Sequence, residues 1–483
     1  MYLLILSLFC LLIILVESFR IIDFGKPSGF LISGVVLPHF VLIAYFPWRH
    51  GYLSLGWSIV AGVVLFILYS CFFWRMHMVP YKSDKGKKLK LKALMGGRIN
   101  IIFSFWSLVC QCILYAAFFL KFVNDEIRYD RFTDVDKLLF LIDGIWCACT
   151  VIGLMANGVL RVIFLSRQLG IWRRVLIILF FWVPIVHQFI FIYLCKIARE
   201  EFDFERFRME KNELRVESEL CKTRYPIVMV HGVGFRDVRW FNYWGRIPGE
   251  LQKNGATIYY GHQEGWAVLE KNAEVIKQKI YEVMKENNCD KVNIIAHSKG
   301  GLDSRYAMCE LGMAEHVASL TTICTPHRGS QLIPVLRRLP DSVYKSICRI
   351  IDDVFRKYGD VEPDVYHSSL QLSPEFCEQF NEKYPNVEGV YYQSYASVMR
   401  NCFSNSILSI PFLLMKMAAG PNNDGLVEEE SAKWGVFKET FRTSHGRGIS
   451  HGDMIDLQRR DYKGFDVLET YVKMVSELKN MGF

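Results

Sequence analysis

The sequence predicts two fold classes in one chain: an α-helical transmembrane bundle over residues 1–197 and a mostly parallel α/β domain with helices on both faces over residues 223–483. A charged connector at 198–222 joins them. Three observations carry this reading. The first two hundred residues are mostly apolar and contain hydrophobic runs of bilayer-crossing length. Beyond Tyr225, short apolar runs alternate with helical patterns, as the strands and covering helices of a parallel sheet do. One of these runs ends in a turn of small residues that carries a serine, Ala296-His297-Ser298-Lys299-Gly300-Gly301.

Five long runs stand out in the first half: Ser28 to Phe46, Tyr52 to Trp74, Ile99 to Val123, Leu138 to Leu160 and Val175 to Ile197. Each has roughly the 17–25 residues that a membrane helix needs. A shorter run, Met1 to Val16, lacks the preceding Lys or Arg and the cleavage site of a signal peptide, so it is expected to be a sixth span. Lys and Arg collect between the third and fourth spans (Arg75, Lys82, Lys85, Lys87, Lys88, Lys90, Lys92, Arg98). They collect again between the fifth and sixth (Arg161, Arg167, Arg173, Arg174). Positive loops face the cytoplasm, which puts residues after Ile197 on the extracytoplasmic side of a cell membrane. The intervening loop is mixed, with Asp125, Glu126, Asp130, Asp134 and Asp136. Beside apolar spans, a basic stripe such as Lys82 to Lys92 reads as inner-leaflet anchoring and not as a nucleic-acid surface. Asp143 and His187 are the main ionisable residues within spans.

Seven of the 14 cysteines lie in the apolar half; the others, at 221, 289, 309, 324, 348, 377 and 402, are scattered and odd in number, which is no disulfide framework. No His or Cys spacing suggests zinc. Residues 198–222 are charged with mixed sign and read as a helical connector.

In the second half, Tyr225 to Val230 is expected as the first buried strand, Phe241 to Lys253 as a helix, Ala256 to Tyr260 as a strand and Ala267 to Glu286 as a helix. Val292 to Ala296 is the strand that feeds the serine turn, Gly300 to Met308 the helix after it, and Ser319 to Cys324 the next strand. Ala296 and Gly300, two residues either side of Ser298, let strand and helix approach closely and hold the hydroxyl exposed on a strained turn.

A serine so presented acts as a nucleophile when a base, an acid and two oxyanion donors surround it. The first strand ends in His231-Gly232-Val233-Gly234-Phe235, a glycine-containing turn that can aim a backbone N–H at a developing oxyanion. The donors assigned are the main-chain N–H groups of Val233 and Lys299, whose side chains are expected to matter less. Of the 12 histidines, His39, His50, His77 and His187 lie in or beside apolar spans, and His231 and His297 read as scaffold. A base is expected to follow serine and acid in the chain, which leaves His451 with His445 as runner-up. Pro421-Asn422-Asn423-Asp424-Gly425-Leu426-Val427 presents Asp424 among turn formers; Asp352, Asp353 and Asp364 are weaker candidates. Ser298, Asp424 and His451 stand in the order nucleophile, acid, base.

The second half resembles the bacterial triacylglycerol lipases of the α/β-hydrolase superfamily. Tyr225 to Gly232 is similar to their oxyanion strand, Asn242 to Pro248 to the segment after it, and Ala296 to Tyr306 to their nucleophile elbow. Thr325-Pro326-His327-Arg328-Gly329-Ser330 and Asn423 to Val427 resemble their following turn and acid loop. The resemblance spans roughly residues 225–465 and implies carboxylic-ester hydrolysis by Ser298, His451 and Asp424 through an acyl-enzyme, with no required cofactor. It also implies a lid over an acyl pocket within 330–420, where Ile407 to Ala419 is apolar enough for an amphipathic or buried helix. Several members hold a structural calcium near the histidine loop; Asp453 corresponds in position to one ligand, without a clear second carboxylate near Arg400. The expected partners are a lipid or other ester substrate and the bilayer, and no nucleic acid. Two further readings stay open: an acyltransferase with the same triad, and a hydrolase domain accessory to a membrane transport protein.

Overall fold

The computed structural model describes residues 34–78, 88–123, 126–127, 131–234, 242–443, 446–462 and 464–483. The Met1 to Val16 span, the start of the Ser28 run, Lys82, Lys85, Lys87, Asp125, Asp130, Phe235, Phe241 and His445 lie outside them. The chain divides into two compact units, Met1–Met209 and Glu210–Phe483.

In the first unit, a 3-10 turn at Leu37–His39 leads into α1 (Phe40–Arg49), followed by α2 (Leu55–Met78), α3 (Leu89–Phe118), α4 (Asp134–Leu165), α5 (Ile171–Phe180) and α6 (Pro184–Arg215). Three of these, α2, α3 and α4, are long and apolar enough to cross a membrane. Their outward faces are apolar, with Trp57, Ile113, Ile152 and Phe164 exposed. Thr133 caps α4 by accepting the N–H of Asp136, whose carboxylate accepts in return from the Thr133 N–H. Helices α3 and α4 meet backbone to backbone: a Cβ on Gly158 would lie 2.7 Å from the Gly97 carbonyl, and one on Gly97 3.0 Å from that of Gly158. Small residues allow such an approach where no hydrophobic effect drives helices together.

Two runs depart from single spans. Val175 to Ile197 is broken between α5 and α6, because Pro184 has no N–H to bond back into the preceding turn and so begins a new helix. In the run that starts at Ser28, the Pro38 turn separates α1 from what precedes it. The charged connector is helical as far as Arg215, as the end of α6, and closes in a 3-10 turn at Val216–Ser218.

The second unit holds a six-stranded parallel sheet of β1 (Ile227–Val230), β2 (Ile258–Tyr260), β3 (Val292–His297), β4 (Val317–Ile323), β5 (Tyr391–Ser397) and β6 (Val436–Phe441), in the order β2-β1-β3-β4-β5-β6. Strand residues alternate between two buried faces. Ile227, Met229, Ile295 and Ile323 pack on α7 (Ile247–Lys253) and α15 (Val467–Asn480), against Leu251, Tyr471 and Val475. Val228, Val230, Ile294 and Ala296 pack on the opposite layer, against Ile276 and Ile280 of α8 (Leu269–Asn287) and Ala307 of α9 (Gly300–Cys309). Each such aliphatic burial contributes about 1.5–3 kcal/mol, which is why β1 and β3 read as continuous apolar runs. Between β4 and β5 lie α10 (Leu332–Leu336), α11 (Asp341–Lys357), α12 (Val365–Leu370) and α13 (Pro374–Lys383); α14 (Ser409–Ala419) follows β5. The helix expected from Phe241 begins only at Ile247, since Gly245 takes a φ of +55° that no α-helix continues.

Order reverses between β1 and β3, so their carboxyl ends open a crevice at the topological switch point, the place where such sheets bind ligands.

Candidate active site

Ser298 sits in that crevice, directly after β3, with φ +55°. A non-glycine residue in this region is strained by roughly 1–3 kcal/mol and is held there by its surroundings. Its N–H donates to the Ile323 carbonyl of β4 (3.0 Å). Helix α9 is drawn onto the strand ends: a Cβ on Gly300 would stand 2.3 Å from the His231 carbonyl, and one on Gly301 2.3 Å from the Thr325 hydroxyl. Gly232 abuts the serine itself, where a Cβ would lie 2.6 Å from Ser298 Cβ. The turn after β1 is fastened by Gln263, whose side-chain amide donates to the His231 carbonyl (2.7 Å). Val233 packs against Leu269 and Leu302. Lys299 is the N-terminal cap of α9, where N–H groups have no intrahelical acceptor.

Asp424 and His451 come together. Their side chains bond at 2.7 Å, His451 Nδ1 to Asp424 Oδ2, and both are buried. The other Asp424 oxygen accepts the N–H groups of Leu426 (3.0 Å) and Val427 (2.9 Å), and the His451 N–H donates to the Asp424 carbonyl. Gly425, at φ +103°, turns the chain between them. The His451 ring lies 4.4 Å, centroid to centroid, from that of His297, the neighbour of Ser298. His445 lies outside the described residues, while Asp352 accepts the Val365 N–H and Asp364 caps α12.

Several side-chain contacts at this site escaped sequence reasoning. Lys299 is buried, and its ammonium bonds Asp303 at 2.6 Å, each side chain only 1% exposed. Asn272 also donates to Asp303. Burial pushes the Asp303 carboxyl up to about 6 against the opposing pull of Lys299. The i,i+4 spacing of Lys299 and Asp303 on one helical turn was the available signal. His297 accepts from or donates to Tyr243 Oη at 2.7 Å, and burial with His451 beside it pushes its imidazole well below the ordinary value, so it is neutral. Cys324, φ +50°, lies between Ser397 and Asp424; burial and that carboxylate push its thiol well up, which removes it as a competing nucleophile.

Asp453, the residue that corresponds to a calcium ligand, is tied to its own loop through one oxygen, while Oδ1 is buried without a hydrogen-bond partner. The tied oxygen accepts from the Arg447 guanidinium (2.7 Å) and the Ser450 N–H (2.9 Å). Among the described residues Asp453 joins no group of three ligand-type side chains. The described cysteines are free. In the 330–420 region, α11 turns an apolar stripe of Val343, Ile347, Ile350 and Val354 to the surface, and α14 buries Phe412 and Met415 while exposing Ile410 and Met417.

A parallel sheet of this order, with a positive-φ serine between its third strand and the next helix, defines an α/β-hydrolase. No protein-family model matches the chain. It is 29% identical over 259 residues to Triacylglycerol lipase 2 of Saccharomyces cerevisiae, covering 50% of this chain and 74% of the relative. It is 28% identical over 252 residues to the Triacylglycerol lipase of Vibrio cholerae, covering 46% and 79%. The solved Bacillus licheniformis lipase BlEst2 in mature form aligns at 22% identity with a TM-score of 0.40, over 52% of this chain and 91% of that one. Over about half of its length the chain is thus similar in sequence to triacylglycerol lipases.

Proposed function

We propose that this protein is a membrane-anchored serine hydrolase of carboxylic esters, with lipid esters as its substrate class. Residues 1–197 form the membrane region, 198–222 the connector and 223–483 the hydrolase. His451 takes the Ser298 proton as the hydroxyl oxygen attacks the ester carbonyl; the N–H groups of Val233 and Lys299 receive the oxyanion. The imidazolium then protonates the leaving alcohol, and water, deprotonated by the same ring, releases the acid from the acyl-serine. Asp424 fixes the imidazole tautomer and stabilises the imidazolium. The single observation that carries this reading is the 2.7 Å His451–Asp424 bond, whose imidazole lies 4.4 Å from that of His297, the neighbour of a serine held at φ +55°.

The exposed apolar stripe of α11 and the residues Ile410 and Met417 of α14 support a lid that receives acyl chains. Arg447, already bonded to Asp453, does the work a structural calcium would do in holding the histidine loop. Labelling by a fluorophosphonate probe tests the assignment. The intact chain is expected to label and Ser298→Ala not to; equal labelling of both removes Ser298 from its role. Three apolar helices and the positive-loop bias support a cell membrane with the hydrolase outside. An impermeant thiol reagent on whole cells is expected to reach Cys289, and reaction only after lysis would reverse that orientation.

A further inference from the structure

The first unit contains a group of polar side chains that ester hydrolysis does not use. His39, on the turn before α1, meets Asp143 and Cys147 of α4 and Gln111 and Tyr115 of α3, inside a largely apolar bundle. Asp143 is 1% exposed and Cys147 2%. Ionisable residues so placed are costly and mark a site by default.

The hydrogen bonds leave one position for a cation. The Gln111 amide nitrogen donates to the Val35 carbonyl (2.9 Å), which fixes its oxygen toward His39 Nε2 (2.7 Å). Nε2 therefore carries a hydrogen, and the lone pair of the neutral ring is at Nδ1. Nδ1 faces Asp143 Oδ2 at 2.7 Å, an oxygen that already accepts from Tyr115 (2.6 Å). Two lone pairs at that distance require a proton or a metal ion between them. The second oxygen, Asp143 Oδ1, is buried without a hydrogen-bond partner.

Cys147 favours the metal. Its sulfur lies 3.6 Å from His39 Nδ1 and 3.9 Å from Asp143 Oδ2. Three ligands of a tetrahedral zinc at ordinary bond lengths stand about 3.6 Å apart for sulfur with nitrogen or oxygen and about 3.3 Å apart for nitrogen with oxygen. The Nδ1–sulfur edge matches; the sulfur–Oδ2 edge must close by about 0.3 Å and the nitrogen–oxygen edge open by about 0.6 Å, with the sulfur, which also lies 3.9 Å from Nε2, turning from beside the ring toward Nδ1. Gln111 supplies the outer hydrogen bond that a metal-bound imidazole ordinarily has on its other nitrogen. The charges also close: a neutral imidazole, a carboxylate and a thiolate around a divalent ion sum to zero, which an apolar bundle tolerates.

The geometry points to a second, metal-binding site in the apolar unit, in which His39 Nδ1, Asp143 and the Cys147 thiolate hold a divalent zinc-type ion. Binding replaces the proton between His39 and Asp143 and the proton of the thiol, so two protons leave for each ion taken up. Three protein ligands leave the fourth tetrahedral position for water or a solute, as in sites that do more than hold structure.

The full chain, purified in detergent and stripped with a chelator, is titrated with Co²⁺ as the spectroscopic probe. One equivalent is expected to give visible bands of tetrahedral intensity and a near-ultraviolet thiolate charge-transfer band, both abolished by excess Zn²⁺. Cys147→Ser is expected to lose the charge-transfer band while Cys149→Ser, an exposed neighbour, keeps it. Gln111→Leu is expected to weaken binding by about 10–100-fold. Affinity is expected to rise roughly 100-fold per pH unit while both protons are displaced. Absence of the charge-transfer band in the unmutated chain overturns the site and leaves a proton as the cation. So does its survival in Cys147→Ser. Circular dichroism and size-exclusion chromatography of each variant in detergent report folding separately, so failure of Ser298 to label leaves this test intact.

Discussion

Gly232→Ala is expected to cripple catalysis with little loss of fold. The added Cβ would stand 2.6 Å from Ser298 Cβ, 2.8 Å from Tyr243 Oη and 3.0 Å from the His297 carbonyl. None of these can swing away cheaply: two are backbone-fixed, and Tyr243 is bonded to His297 Nδ1. Opening the shortest contact to an ordinary 3.4 Å moves the β1 turn and the serine apart by about 0.8 Å. That turn carries Val233, so the proposed donor and the proposed nucleophile lose register together. A misplacement near 1 Å costs roughly 10²-fold in rate. Overpacking of this kind costs only about 1–3 kcal/mol of stability, a Tm decrease of roughly 2–10 °C. The assay is kcat/KM on a chromogenic short-chain ester, alongside thermal unfolding. Gly249→Ala is the control, since its Cβ would meet nothing within 4 Å. Activity of Gly232→Ala within a few-fold of the parent would refute the placement of the oxyanion turn against Ser298.

Asp424→Asn is expected to lower kcat by roughly 10⁴-fold with near-parental folding, because the imidazole loses its tautomer; steady-state kinetics check it. Lys299→Met leaves the Asp303 carboxylate buried without its cation and is expected to cost about 3–5 kcal/mol in urea unfolding, largely recovered in Lys299→Met/Asp303→Leu. With its folded pKa raised to about 6, Asp303 holds its proton more tightly folded than unfolded. Its stabilising share is full below about pH 4 and lost as pH rises through about 6, so the parent loses up to roughly 3 kcal/mol against Asp303→Asn between pH 4 and 7. Chelator treatment is expected to leave esterase activity unchanged, whereas Arg447→Ala lowers activity and thermal stability together; chelator-sensitive hydrolysis recovered with Ca²⁺ and not with Zn²⁺ would restore calcium to the Asp453 loop. Gly158→Leu is expected to separate α3 from α4 and lower the unfolding temperature in detergent, with Gly56→Ala as the unaffected control.

What the sequence made legible follows the range of the forces involved. Strands β1, β3 and β4 were readable because both faces are buried, and Ser298 because its constraints lie within three residues on either side. Asp424 stands out through its turn formers, and its carboxylate bonds the candidate base His451. The missed features depend on distant partners or on one residue overriding a pattern. Pro184 splits an apolar run whose hydropathy is continuous, and Gly245 postpones a helix its neighbours would have begun. Lys299 looks like a surface residue until Asp303 and the packed strand ends enclose it. His39 and Asp143 stand 104 residues apart, so no local spacing could announce them.

The positions of acid and base are set by a third segment that carries neither. After β5, the Met399 N–H donates to the Asn423 carbonyl, and Met399 bridges Gly448, so one residue touches both the acid loop and the histidine loop. Asn405 bonds Ser450, adjacent to His451, at 3.0 Å, and Leu408 Cβ would lie 3.0 Å from any Cβ placed on Gly425. The same stretch then enters α14, where Ser330 reaches back to the Leu426 carbonyl and toward Met415. Segment 399–408 is therefore both the floor under the His451–Asp424 pair and the root of the proposed lid. A displacement of α14 that strains Leu408 against Gly425 must be absorbed by the turn that holds the Asp424 carboxylate. Asn405→Ala removes one of these ties; it is expected to lower kcat with KM nearly unchanged, and a change confined to KM would place the segment in substrate binding instead.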